Sequence, residues 1–205
     1  ALKYPLSDNE RLTEQMLRKL LRDNKNKLNT GFVGTPLLCN VLTEHGMTDL
    51  AYRLLLNEEY PGWLHEVKLG ATTVWERWNS LDENGRISST GMNSLNHYSY
   101  GAVLEWIFRH VAGIDVTEQG PGGKMMRISP KVDHKLGSAS AVYDSASGCY
   151  RCGWQIENGD QITVTVTVPF GAKAQVILPY APDSVYHDTD NPLFETVENG
   201  ICCVK

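Results

Sequence analysis

Two short stretches concentrate the residues that could do chemistry. The first, Gly70-Ala71-Thr72-Thr73-Val74-Trp75-Glu76-Arg77-Trp78, sets a carboxylate between two tryptophans. Desolvation among indoles raises a carboxyl's pKa, which suits a group that must pass a proton near neutrality. Indole faces also pack against the C–H faces of sugars, so the same string could frame a polyol. The competing reading is structural: Trp75 and Trp78, three residues apart, pack a core while Glu76 pairs with Arg77 or solvent. Composition alone favours that plainer one.

The second stretch, Ser94-Leu95-Asn96-His97-Tyr98-Ser99-Tyr100, falls where apolar spacing starts a helix. Unpaired backbone N–H groups and a positive potential gather at such a terminus, where Asn96 and His97 could bind hydroxyls. The commoner alternative is capping by Ser94 or Asn93 plus a hydrogen-bonded histidine.

Other reactive residues lack supporting context. Cys149 and Cys152 have redox spacing but sit among strand residues, without a thioredoxin-type βαβ setting. Cys202 and Cys203 are adjacent and poorly placed to chelate one zinc together. His65-Glu66 is followed by Leu69 where a zinc protease needs histidine. Gly120 to Lys124 lacks the spacing and the hydroxyl of a phosphate loop, and no Gly-x-Ser-x-Gly elbow occurs. Neither a metal nor a cofactor is expected. Five cysteines, an odd number without regular spacing, suit free thiols in a reducing compartment, so a cytoplasmic location is expected.

The elements that must hold these residues change character near residue 115. Hydrophobic residues make up 41% and charged ones 21% of 205, with a formal charge of -5. That is a globular balance, and neither half carries the basic excess of a nucleic-acid partner. Apolar runs such as Leu54-Leu55-Leu56 are far too short to span a bilayer, so no membrane partner is expected either. The first residues lack the zones of a signal peptide and an initiator Met, which points to a mature form or an excised piece.

Helical spacing predicts a first helix capped by Ser7 or Asp8, carrying Leu12, Met16, Leu17, Leu20 and Leu21 on one stripe. A second runs from Pro36 to His45 with Gly46 as its stop, and a third begins at Met47 or Thr48. Pro61-Gly62 breaks the third before a short stretch from Trp63 to Leu69. The last helix is expected from Ser94 to Ala112, closed by Gly113.

Beyond Asp115 the period becomes two. Ile162, Val164, Val166 and Val168 alternate with threonines, so the valines and isoleucine should face a core and the threonines water. Cys152 to Glu157 is a hairpin partner across Asn158-Gly159-Asp160, and Ala172 to Leu178 a further strand. Lys124 to Ser129, Ser140 to Tyr143 and Gly200 to Val204 are weaker strands, and Gly120-Pro121-Gly122-Gly123 reads as a linker. Such strands suggest an antiparallel sandwich. The helical pieces, by contrast, are too few to enclose a core of their own, which hints at truncation.

An ordered set of motifs runs through the helical part. It comprises Thr30-Gly31-Phe32-Val33-Gly34-Thr35-Pro36, Asp49-Leu50-Ala51-Tyr52, Tyr60-Pro61-Gly62-Trp63, Gly70 through Trp78, Ser94-Leu95-Asn96-His97-Tyr98, and Tyr100-Gly101-Ala102-Val103 through Ala112-Gly113-Ile114. This set closely resembles the C-terminal part of bacterial α-L-rhamnosidases of glycoside hydrolase family 78. The match covers about residues 10 to 114 and continues more loosely through Arg127-Ile128-Ser129-Pro130 to the end. The resemblance implies an α + β chain: the last hairpins of an (α/α)6 toroid over 1–114, then an antiparallel β-sandwich over 115–205.

The resemblance also implies hydrolysis of terminal α-L-rhamnose with inversion. Such a mechanism needs one carboxylic acid to protonate the leaving oxygen and one carboxylate to activate water. By resemblance Glu76 matches the general base and His97 a histidine that binds rhamnose, with Trp75, Trp78 and Asn96 as neighbours shaping the pocket. The acid belongs to an upstream segment with no counterpart here. Glu66, Asp82 and Glu105 lie in no matching motif. The isolated chain is therefore expected to be inactive on rhamnose-containing glycosides. It is also expected to self-associate through Leu17, Leu21, Leu54, Ile107 and Phe108, left without partners. The alternative is a non-catalytic carbohydrate-binding or structural module.

Overall fold

A computed structural model describes residues 10–82, 84–88, 91–158, 161–179, 194–198 and 201–204. The chain forms two compact units, Ala1–Val103 and Leu104–Lys205.

The first unit is helical. Helix α1 (Glu10–Asp23) buries Leu21 but leaves Leu12, Met16 and Leu20 more than half exposed. Its expected cap at Ser7 or Asp8 lies outside the described residues. Helix α2 (Thr35–Glu44) has Pro36 in its first turn, where the missing N–H is not needed, and buries Thr35, Cys39, Leu42 and Thr43. Gly46 reverses the chain at φ +70°, and the Met47 N–H reaches back to the Leu42 carbonyl at 2.7 Å. Helix α3 (Thr48–Leu55) then packs against α2, burying Leu50, Ala51, Tyr52 and Leu54. Helix α4 (Trp63–Lys68) buries only Trp63 and Glu66.

The expected long helix from Ser94 is corrected. A 3-10 turn, Ser99–Ala102, leads into α5 (Val103–Trp106) and one π-helical turn, Ile107–Val111. Residues before Ser99 spend their backbone donors and acceptors on a segment some twenty residues earlier, so they cannot also close helical turns.

The apolar residues expected to lack partners also need correction. Leu21 and Leu54 are buried, and Leu17, Ile107 and Phe108 are half-buried. Exposed apolar residues include Leu12, Met16, Leu20, Val33, Leu37 and Leu104. No described helix is long and apolar enough to cross a membrane.

Among the described residues the second unit carries the strands β1 (Ile114–Val116), β2 (Met125–Ile128), β3 (Ser138–Ser145), β4 (Gly148–Glu157), β5 (Gln161–Thr167), β6 (Lys173–Ile177), β7 (Phe194–Glu198) and β8 (Ile201–Val204). One sheet has the order β1-β2-β6-β8-β7 and the other β3-β4-β5. Every pairing is antiparallel except β2 with β6, which are parallel. Ile114, Met126, Ile128, Ala174 and Val176 from the larger sheet form one buried cluster with Tyr150 and Cys152 from the smaller. Val164, Val166 and Val168 pack on it while the β5 threonines face water. The alternation does what its period requires.

Strands β1 and β7 were not anticipated, and the turn after Asn158 falls partly outside the described residues. Gly120 to Gly123 is no linker. Pro121–Gly123 is a 3-10 turn whose Gly123 carbonyl accepts the buried Tyr150 hydroxyl at 2.7 Å. The Trp154 indole N–H likewise ties β4 to the Val111 carbonyl at 2.7 Å. Cys39 and Cys152 are buried thiols, each pushed up to about 12 by desolvation, so the β4 cysteines make no reactive pair.

Candidate active site

The site is assembled by a short backbone ladder. Gly70 ends α4 at φ +85°, a conformation a β-carbon would strain. The chain then runs alongside residues 94–97. The Glu76 N–H donates to the Ser94 carbonyl at 2.9 Å, and the His97 N–H to the Val74 carbonyl at 2.8 Å. The Thr73 hydroxyl donates to the Leu95 carbonyl. The Ser94 N–H closes the exchange on Glu76 Oε2 at 2.7 Å. Two motifs far apart in sequence thus share one narrow ribbon, with Glu76 and His97 on it.

The ribbon's far end is clamped. The Ser80 hydroxyl lies 2.6 Å from Asn93 Oδ1, and Asn93 Nδ2 donates to the Ser80 carbonyl at 3.0 Å. The Arg77 N–H donates to the same fully buried hydroxyl at 3.2 Å. Asn93 and Ser94 therefore cap no helix. Ser94 instead closes a local turn, its Oγ accepting the Asn96 N–H and donating to the Asn96 carbonyl, each at 3.1 Å.

His97 Nδ1 accepts the Ser99 N–H at 3.2 Å. An acceptor nitrogen carries no proton, so the proton sits on Nε2, and that edge of the ring is a donor. The ring stacks on Phe32 (5.1 Å, 12°) and on Tyr98 (5.7 Å, 10°). A half-buried imidazole held in this way suits a hydroxyl oxygen as acceptor. Glu76 is half-buried as well, and its Oε1 has no partner among the described residues. Asn96 is exposed beside them.

The two indoles behave differently from sugar platforms. Trp75 is 2% and Trp78 8% exposed. Trp78 stacks flat on Tyr100 at 4.0 Å, meets Trp63 edge-on at 5.4 Å, and donates its N–H to the Thr30 carbonyl at 3.1 Å. Trp63 in turn donates to the Tyr100 carbonyl at 3.0 Å. The stacking reading is thereby corrected for both: no open indole face remains for a sugar, and the packing alternative describes them. They back the ribbon from within the core.

Sequence reasoning missed Glu66. It is 3% exposed and its carboxyl is pushed up to about 7 by desolvation, an effect the Trp75 N–H partly offsets from 3.4 Å. Burial also raises the neighbouring Tyr100 phenol, and the Glu66 charge adds to it. Because the folded state favours neutral Glu66, this group's contribution to stability is complete below its ordinary value of 4.5. It is lost as pH rises through about 7. No spacing in the sequence marks it, because a single acid on a six-residue helix forms no pattern.

Residues 1–111 match the bacterial alpha-L-rhamnosidase 6 hairpin glycosidase domain, and residues 113–191 the bacterial alpha-L-rhamnosidase C-terminal domain. The two models follow one another along the chain, a helical domain and then a β domain. The chain belongs to the bacterial α-L-rhamnosidase family. It is 43% identical over 168 residues to an α-L-rhamnosidase of Alteromonas sp. (strain LOR), covering 82% of this chain and 18% of that one. A second α-L-rhamnosidase, from Formosa agariphila, is 38% identical over 192 residues, covering 94% and 20%. The crystal structure of Streptomyces avermitilis α-L-rhamnosidase complexed with L-rhamnose superposes with a TM-score of 0.79 at 37% identity, over 93% of this chain and 18% of that one. The chain therefore spans about a fifth of the length of the relatives it matches.

Proposed function

We propose that this chain is the C-terminal part of a hydrolase that removes terminal α-L-rhamnose from glycosides with inversion, with Glu76 as the general base. The observation that supports the reading is the backbone ribbon that carries both residues, Glu76 opposite Ser94 and His97 opposite Val74. Glu76 Oε2 is anchored by the Ser94 N–H, which aims the carboxylate while Oε1 takes the proton of an attacking water. The His97 Nε2–H donates to a sugar hydroxyl and orients the ring. Asn96 lines the rim, and Trp75 and Trp78 stiffen the wall behind.

The water adds to the anomeric carbon opposite the departing oxygen, so configuration inverts. The proton that the leaving oxygen requires comes from a carboxylic acid upstream of these residues. A toroid boundary at residue 114 and a cytoplasmic location belong to the same reading. Cys39, Cys149 and Cys152, all free, support the latter.

The test extends the chain upstream in its own gene to complete the helical domain and follows an aryl α-L-rhamnoside by proton NMR. The β-anomer of rhamnose should appear first, and the 205-residue chain alone should release no sugar. First release of the α-anomer would remove the inverting mechanism, and turnover by the short chain would remove the upstream acid.

A further inference from the structure

We propose that Glu66 is a positioning residue for Glu76: sealed inside the helical unit, it holds the inner edge of the loop from which the Glu76 side chain departs. The proposal deepens the reading of Glu76 as general base and rests on it. Its footing is the pair of acceptors that one residue supplies. The Glu66 carbonyl takes the Ala71 N–H at 3.0 Å, and its carboxyl Oε2 takes the Trp75 N–H at 3.4 Å. Glu66 therefore spans both ends of the 71–75 loop.

The outer edge of that loop is fastened by residues 94–97, through Thr73, Val74 and Glu76. The direction in which Glu76 leaves the backbone is set by both edges together. On the inner edge the acceptor for Trp75, the residue next to Glu76, is Glu66.

An acid is a costly way to fill this place. Glu66 is 3% exposed, and its other oxygen, Oε1, is buried without a protein donor among the described residues. Apolar side chains of similar volume commonly replace buried charged groups at no loss, or with a gain, of stability. Packing therefore does not explain the carboxyl, whereas an acceptor within reach of the Trp75 N–H, on a loop that must not drift, does. Tyr100 is the titratable group that faces Glu66 from the 3-10 turn, with Arg77 and Tyr60 acting on Tyr100 in turn. None of these is in the proton-transfer roles already assigned, so Glu66 acts through placement, not by touching substrate.

Two variants separate positioning from packing in the chain extended upstream. Glu66→Leu keeps the volume and removes the acceptor. Its kcat should fall roughly 10–100-fold, as small misplacements of a catalytic group do, with KM within about twofold and the melting temperature not lowered. Glu66→Gln keeps an acceptor oxygen and should hold kcat within about fivefold of the parent.

In the 205-residue chain the Trp75 amide resonance, followed from pH 5 to 9, should titrate. In Glu66→Gln it should stay flat. Full kcat in Glu66→Leu overturns the proposal, as does a loss of kcat that tracks lost melting temperature and is not rescued by Gln. Failure of the underlying reading is seen separately, as undiminished turnover in Glu76→Gln while the Trp75 amide still titrates with Glu66.

Discussion

Replacing Glu76 by Gln in the chain extended upstream is expected to lower kcat roughly 10²–10⁴-fold, the range a general base supplies. The substitution is chosen because the structure separates two tasks of this side chain. One oxygen accepts the Ser94 N–H at 2.7 Å and so helps to close the ribbon. The other has no partner among the described residues and is available to take the proton of a water. An amide oxygen can perform the first task, whereas an amide cannot be protonated near neutrality and fails the second. Kinetics and thermal unfolding measured on the same preparation decide the matter. A large drop in kcat at an unchanged melting temperature assigns the loss to chemistry. Turnover within a few-fold of the parent would leave the family intact and strip Glu76 of its role. Glu76→Ala is a poorer probe, because it removes the ribbon contact along with the base.

Gly113→Ala should be severely damaging to the strand unit. Gly113 sits at φ +85° between the π turn and β1, and its carbonyl accepts the Ser129 N–H at 2.7 Å. A β-carbon built there would lie 2.3 Å from the Pro130 nitrogen and 2.5 Å from its α-carbon. Both are backbone atoms, and the proline ring further limits how they can retreat. The left-handed conformation alone costs a side chain about 1–2 kcal/mol, and the clash should bring the total to roughly 3–5 kcal/mol. Gly46→Ala is the matched comparison, since Gly46 has φ +70° but nothing within 4 Å of the added carbon. It should lose only the conformational part, about 1–2 kcal/mol. Urea unfolding of both variants, followed by tryptophan fluorescence, gives the difference. Equal losses would show that the approach of Gly113 to Pro130 is not rigid.

What was legible in the sequence was whatever is set by neighbours along the chain. The two-residue period of β5, Pro36 at the start of α2 and Gly46 at its end each act over a few residues, and each is found as anticipated. The segment 94–98 went wrong for the opposite reason. Its apolar spacing suits a helix, yet its backbone is claimed by residues 73–76, a pairing that no local pattern announces.

The candidate site divides along the same line. Resemblance of the motifs singles out Glu76 and His97, and the fold lays both on one ribbon. Residue type could not say whether Trp75 and Trp78 turn outward or inward, because an indole suits a sugar and a core equally well. The answer depends on Tyr100 and Thr30, which only the folded chain brings to Trp78. Glu66 was hidden more thoroughly. A single acid on a six-residue helix carries no spacing signal, and its significance lies in being enclosed.

The clamp between Ser80 and Asn93 has a consequence for how this site can diversify. It fastens the base of the excursion between those residues, while the bonds of Glu76 to Ser94 and of His97 to Val74 lie on the other side of it. Doubling the length of a flexible loop adds only about 0.6 kcal/mol to the cost of closing it. The excursion can therefore be lengthened, shortened or exchanged at small thermodynamic expense, with Glu76 and His97 left in place on the ribbon. A scaffold wired in this way lets lineages revise the rim without disturbing the ribbon beneath it.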